Sequence, residues 1–306
     1  MTRNQKIWLG VGVWLLITIV LGAITGSAGR NDEYQPQNEF KLDAWVPIKV
    51  GSLDLSINKA VLYLFIASAL TVGTLIWVAR RMQQRPNRVQ TAIEASYVLM
   101  RDQIAGANMD RRMAAKWFTF TGALFLFIWY SNVLGYLPLP VNSEETFNVF
   151  GAHIPSFQIY AATANISVTL ALTLFVWFAY HVEGIRAKGF KRYFADWIPG
   201  GVTGAARYPL FGIEVISQFV RIISLSVRLF ANMLAGHLLI LFMGGGLVVL
   251  LGFAALGLVT GIVAVVFFLF EVLLIATLQA FIFATLAAIY LGESVAESHE
   301  GATETT

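Results

Sequence analysis

The chain contains no cysteine. That excludes disulfides, thiolate metal sites and a cysteine nucleophile, and it leaves the redox compartment open. Charge is also scarce. Only 13% of the 306 residues are Asp, Glu, Lys or Arg, where a soluble domain carries about a quarter. Hydrophobic residues reach 57% and the mean hydropathy is +0.68. A surface built from so few charges faces lipid over much of its area. No phosphate-binding glycine loop, metal-ligand cluster or nucleophile constellation occurs. A stand-alone enzyme, a cofactor and a bound metal are therefore not expected. Nothing suggests strands, and no internal repeat is evident.

What the chain does have is long apolar runs. A helix needs about 20 apolar residues to cross about 30 Å of hydrocarbon. Ile7–Ile24 is a first candidate, preceded by Arg3 and Lys6 and followed by Gly26-Ser27-Ala28-Gly29. The same pattern describes a signal peptide, so this segment is either a retained helix or a cleaved one. Ala60–Ala79, Lys116–Leu137 and Phe157–Tyr180 are further spans. The run from Pro209 to Met243 would be about 50 Å long as one helix, and Leu247–Leu291 about 67 Å. Both exceed a perpendicular crossing and must be tilted, kinked or partly outside the core. Gly244-Gly245-Gly246 reads as the turn between them, and Gly257–Gly261 as the place where the last run bends.

The polar loops give the expected orientation. Arg80, Arg81, Arg85, Arg88, Arg101, Arg111, Arg112 and Lys116 separate the second and third spans. Arg186, Lys188, Lys191, Arg192 and Arg207 separate the fourth and fifth, whereas 138–156 carries Glu144 and Glu145 and no Lys or Arg. Basic loops stay cytoplasmic. Six spans then place both termini in the cytoplasm, and 25–59 and 138–156 outside. Residues 88–110 mix apolar and charged side chains at helical spacing, as a helix lying on the cytoplasmic surface would. The basic residues fit this topology, so nucleic-acid binding is not expected.

Ionisable groups inside the apolar runs are the functional signal. Insertion scales put one Arg or Asp at the bilayer centre at about 2.5–3.5 kcal/mol. Glu214, Arg221 and Arg228 follow one another at seven-residue intervals, which on a helix makes a near-vertical stripe. Asn232 continues that face, and His237 lies nearly opposite Arg228. The last run adds Glu271 and Gln279. Plainer readings exist: Glu214 paired with Arg207 at the interface, Arg221 as a structural or interfacial group, His237 as a helix-contact histidine. Asn232 and Gln279 could serve as interhelical hydrogen bonds, and Glu271 could pair with a base. Arg228 has no acid within one turn on its own helix, and its guanidinium cannot lose its proton.

The segment Ser224-Leu225-Ser226-Val227-Arg228-Leu229-Phe230-Ala231-Asn232-Met233-Leu234-Ala235-Gly236-His237 resembles a signature of subunit a of the F-type ATP synthase. Leu278-Gln279-Ala280-Phe281-Ile282-Phe283-Ala284-Thr285-Leu286 resembles its second, C-terminal signature. Asn132-Val133-Leu134-Gly135-Tyr136-Leu137-Pro138, the start of the next span at Thr163–Leu172, and the Pro209-x₄-Glu214 spacing are similar to the family in the same order. The resemblance covers roughly residues 60–293, leaving 1–59 as a membrane helix and outer-side segment ahead of the subunit a-like domain at 60–306.

The resemblance implies an all-α integral membrane protein of about six membrane helices plus the short cytoplasmic surface helix. The last two, about 208–243 and 247–291, would be long, strongly tilted and ion-translocating. It implies a ring of c subunits, b-type stator subunits and the rest of the synthase as partners, in a bacterial plasma membrane. ATP chemistry would lie in other subunits. Arg228 would face the ring carboxylate, flanked by Asn232 and Gln279. His237 and Glu271 would belong to an outer half-channel, and Glu214 to a cytoplasmic one. One interval departs from the family pattern. Glu271 to Gln279 is one residue longer, which on a regular helix turns Glu271 by about 100°, away from the position a channel role asks for. A secondary antiporter or ion channel and a purely structural scaffold are the rival readings. Ion choice between H⁺ and Na⁺ rests largely with the ring.

Overall fold

The computed structural model describes residues 10, 12–14, 16, 17, 20, 40–51, 53–54, 56–81, 88–140, 146–149, 152–155, 157–198, 204–246 and 256–296. Helices dominate, as the apolar runs predict. Helix α1 is Lys59–Arg81 and α2 is Arg88–Val98, continued by a π-helical stretch at Leu99–Gly106. Then come α3 (Arg111–Gly135), α4 (Ile166–Lys188), the short α5 (Phe190–Ala195) and α6 (Arg207–Leu241). Helix α7 (Leu256–Phe270) passes through a π segment at Glu271–Ile275 into α8 (Ala276–Val295).

Three starts are set by side-chain caps, which occupy otherwise unpaired N–H groups. Asn58 accepts from the Val61 amide at 3.1 Å, Asp110 from Met113 at 2.8 Å, and Asn165 from Ser167 at 2.8 Å. Among the described residues, five helices are long and apolar enough to cross a membrane: Lys59–Arg80, Arg111–Gly135, Ile166–Lys188, Gly204–Gly245 and Thr260–Val295. The candidate span Ile7–Ile24 lies for the most part outside the described residues.

Two expectations change in detail. The Gly244–Gly246 turn is a π-helical end to α6, covering Phe242–Gly246. Helix α7 runs through Gly257 and Gly261 as an unbroken helix, and among the described residues of this run the irregularity is the π segment. Short strands also occur where none are predicted. Strand β1 (Lys49–Val50) pairs with β2 (Leu53–Asp54), β3 (Leu139–Pro140) with β6 (Phe157–Gln158), and β4 (Thr146–Val149) with β5 (Ala152–Pro155), all antiparallel. The β4 sequence Thr-Phe-Asn-Val alternates polar and apolar residues, a period of two that is easily lost in a short loop.

The chain divides into two compact units. The first comprises residues 1–62, 135–161 and 233–275. In it a lysine is buried: Lys59 Nζ donates to Gln158 Oε1 of β6 at 3.1 Å and lies 5.0 Å from the Tyr160 ring centre. The second comprises 63–134, 162–232 and 276–306. Here α8 buries Ala276, Ala280, Ala284, Ala287 and Ala288 completely and packs on α4. Helices in lipid gain little from hydrophobicity, so small residues that let backbones approach closely supply the contact. Lys116 of α3 pairs with the buried Glu183 of α4.

Candidate functional site

In the first unit, His237 is fully buried, Tyr136 is 1% exposed and Glu271 8%. The Tyr136 hydroxyl donates to Glu271 Oε2 at 3.1 Å, and its ring stacks on His237 with centres 4.4 Å apart. Missing side chains create the room. A Cβ at Gly236 would lie 2.5 Å from Glu271 Oε2, so the carboxylate rests directly on the α6 backbone. A Cβ at Gly135 would lie 2.5 Å from Ala161 Cβ and 3.1 Å from His237 Nε2.

The His237 ring is held at both ends. Nδ1 faces the Met233 carbonyl at 2.9 Å and Nε2 the Gly135 carbonyl at 3.0 Å. A neutral imidazole has one N–H and can donate to only one of them; a protonated ring donates to both. A protonated ring would thus find an acceptor at each nitrogen where it stands.

Glu271 reaches this place through the π segment. A π turn takes one residue more than an α turn. The Glu271–Gln279 interval therefore contains a π turn, so counting at 3.6 residues per turn does not give the direction of Glu271. Glu271 meets a tyrosine hydroxyl, and the base suggested as its alternative partner is not found beside it among the described residues.

In the second unit, Arg228 stands on an exposed face of α6 together with Ser224, Val227, Ala231 and Asn232. It donates to Ser224 Oγ at 3.3 Å. Among the described residues no carboxylate pairs with it. Gln279, on α8, is buried. Asn132 is also buried: its Nδ2 donates to the Ala276 carbonyl at 3.3 Å, and Thr163 Oγ1 donates to its Oδ1 at 2.7 Å. Those bonds join the motifs at 132–138 and 163–172 to the start of α8.

A polar cavity of about 210 Å³ opens between α4, α5, α6 and α8 of this unit. Glu214 Oε1 accepts from Gln218 Nε2 at 2.7 Å, and Gln218 Oε1 accepts from the Tyr180 hydroxyl at 2.6 Å. Arg221 donates to Glu293 Oε2 at 2.9 Å, with its guanidinium 4.7 Å from the Tyr290 ring centre. Lys188 pairs with Asp196 at 3.0 Å. Tyr193 of α5 also lines the cavity, and burial holds its phenol above the ordinary value, against the bond to Trp197.

Of the six residues singled out by sequence, the structure groups His237 with Glu271, Arg228 with Asn232 on one exposed face, and Glu214 with the cavity; Gln279 is inside the helix packing. The suggested Glu214–Arg207 pair is not formed: Arg207 is exposed, and Glu214 bonds to Gln218. Sequence reasoning missed Tyr136, Gln218, Tyr180 and Glu293. Tyr136 stood inside the Asn132–Pro138 motif, and Gln218 lies four residues after Glu214, the spacing of neighbours on one helix face.

Comparison with known proteins identifies the family. A family model described as ATP synthase A chain matches residues 61–292. The chain is 33% identical to an ATP synthase subunit a from Rubrobacter xylanophilus over 257 residues, covering 83% of this chain and 90% of that one. It is 34% identical to one from Myxococcus xanthus, covering 81% and 76%. It is 33% identical to one from Bradyrhizobium diazoefficiens, covering 86% and 98%. On the matched span, which holds every site residue described above except Glu293, this all-α integral membrane protein belongs to the ATP synthase A chain family.

Proposed function

We propose that the chain is the proton-translocating stator subunit of a bacterial ATP synthase, working beside a ring of c subunits and held by b-type stator subunits in the plasma membrane. The observation that carries this reading is Arg228: a permanent cation on a membrane-crossing helix, exposed, with no acid of its own chain beside it among the described residues. A charge so placed is costly in lipid. A carboxylate on a neighbouring, turning ring would compensate it. The small Ala231 and the polar Asn232 beside it leave room for such a partner.

The two polar clusters supply the access routes. A proton enters from outside through Glu271, Tyr136 and His237 and neutralises a ring carboxylate, which then rotates into lipid. After nearly a full turn the carboxylate reaches the cytoplasmic route, and its proton leaves by way of Glu214 and the cavity around it. Arg228 separates the routes. Its charge stabilises the ionised carboxylate and blocks a direct proton crossing. Gln279 and Asn232 flank it. The membrane potential supplies about 2.3 kcal/mol per charge per 100 mV. ATP chemistry belongs to other subunits. The basic loops put the C-terminus in the cytoplasm.

Arg228→Ala abolishes ATP-driven acidification of inverted vesicles, followed by quenching of a pH-sensitive dye. Arg228→Lys is severely impaired, because an ammonium surrounded by lipid and the ring loses its proton where guanidinium does not. Normal pumping by assembled Arg228→Ala complex would refute the role.

A further inference from the structure

The cavity around Glu214 is lined by two cations and three carboxylates: Lys188 and Arg221, with Asp196, Glu293 and Glu214. Four of them cancel in pairs, Lys188 with Asp196 and Arg221 with Glu293. Glu214 is left over. Among the described residues it has no cation, and its bond comes from the neutral amide of Gln218.

Arg221 follows Glu214 by two helix turns on α6, about 10 Å along the axis, and both line the same cavity. An arginine and a glutamate side chain together can close that distance. What holds the guanidinium elsewhere is on α8. Glu293 accepts from Arg221 at 2.9 Å, and the Tyr290 ring lies beneath it at 4.7 Å. An Arg–carboxylate bond is among the stronger hydrogen bonds, and the aromatic face adds to it. Were Glu293 neutral, the remaining carboxylates would be Asp196, claimed by Lys188, and Glu214.

We propose that Glu293 is a positioning residue that sequesters Arg221, keeping the guanidinium off Glu214 so that Glu214 stays free to exchange protons with the cytoplasm. This rests on the reading of Glu214 as the exit group. A Glu214–Arg221 ion pair would hold the carboxylate ionised and remove it as a proton carrier. The same contact also links α6 to α8, so a purely mechanical role is the alternative, and the two differ in what a second substitution does. If the contact is a staple, removing both partners is no better than removing one. If it is sequestration, removing Arg221 as well repairs the loss of Glu293.

The test uses the whole synthase in inverted vesicles, with acidification rates divided by the amount of assembled complex. Glu293→Gln is expected to slow ATP-driven pumping by roughly tenfold, the size of coupling found for contacting charges. Arg221→Gln is impaired less, Glu293→Asp keeps most of the activity, and the Arg221→Gln/Glu293→Gln double variant recovers most of the rate. Wild-type pumping by Glu293→Gln, or a double variant as slow as Glu293→Gln, overturns the proposal. Glu214→Gln separates the two levels. If it pumps normally, the exit role of Glu214 falls and the sequestration with it. If it stops pumping while the double variant shows no recovery, the sequestration falls alone.

Discussion

A single missing methyl group shapes the outer cluster. Glu271 Oε2 occupies space that a Cβ at position 236 would enter, at 2.5 Å. The carboxylate cannot yield without losing its bond from Tyr136, and the Tyr136 ring is itself packed on His237. Gly236→Ala should therefore push the carboxylate away by about the overlap, and a misplacement of about 1 Å in a reacting group costs on the order of 100-fold. The expected result is assembled complex with a strongly reduced pumping rate, read by dye quenching and by the ATPase content of the same vesicles. A Gly236→Ala complex that pumps at the wild-type rate would remove Glu271 from the route. Tyr136→Phe is a milder version. It keeps the stacked ring and deletes the hydroxyl, leaving one buried carboxylate bond unmade, a loss of about 1–3 kcal/mol. Pumping slows, and the effect vanishes in a background that already carries Glu271→Gln.

The π segment is the element on which that cluster depends. Glu271–Ile275 carries the extra residue that separates Glu271 from Gln279, and its Leu273 and Leu274 are exposed. Deleting Leu274 should let the helix close into regular α turns and rotate Glu271 by about 100° relative to Gln279. Pumping is then lost although the deleted side chain touched nothing in the cluster, while Leu274→Ala retains it. Normal pumping by the deletion variant would show that the register of this helix is irrelevant. Here the limit of the sequence is physical. The shared face of Arg228 and Asn232 on α6 was legible because a regular helix fixes faces by counting. The direction of Glu271 was not, because counting at 3.6 residues per turn has no way to register a π turn. Glu293 was invisible for another reason: its partner Arg221 lies 72 residues away on a different helix, a distance no periodicity spans. The burial of Lys59, one residue before the Ala60–Ala79 span, was hidden in the same way, because its partner Gln158 is 99 residues distant.

For the molecule as a whole, the lack of cysteine that opens the sequence becomes an experimental tool. Any single cysteine introduced is the only thiol in the chain. The proposed orientation of the spans rests on loop charge alone, with Glu144 and Glu145 in a loop free of Lys and Arg, and Arg186, Lys188, Lys191 and Arg192 clustered in another. The presence of several long apolar helices was readable from the sequence, because hydrocarbon thickness sets the length they need; the fourth, expected from Phe157 to Tyr180, instead runs from Ile166 to Lys188, with Phe157–Gln158 in a strand. Orientation is set by something weaker, a bias of about 1 kcal/mol per basic residue near an anionic leaflet, and so it calls for direct measurement. Glu144→Cys should react with a membrane-impermeant maleimide in intact cells or spheroplasts. Lys191→Cys should be protected there and react only in inverted vesicles. Neither residue is assigned a part in the two proposed proton routes, so pumping serves as the control for native assembly. The reverse labelling pattern would invert the chain, exchange the entry and exit assigned to the His237 and Glu214 clusters, and require protons driving synthesis to arrive at Glu214 first.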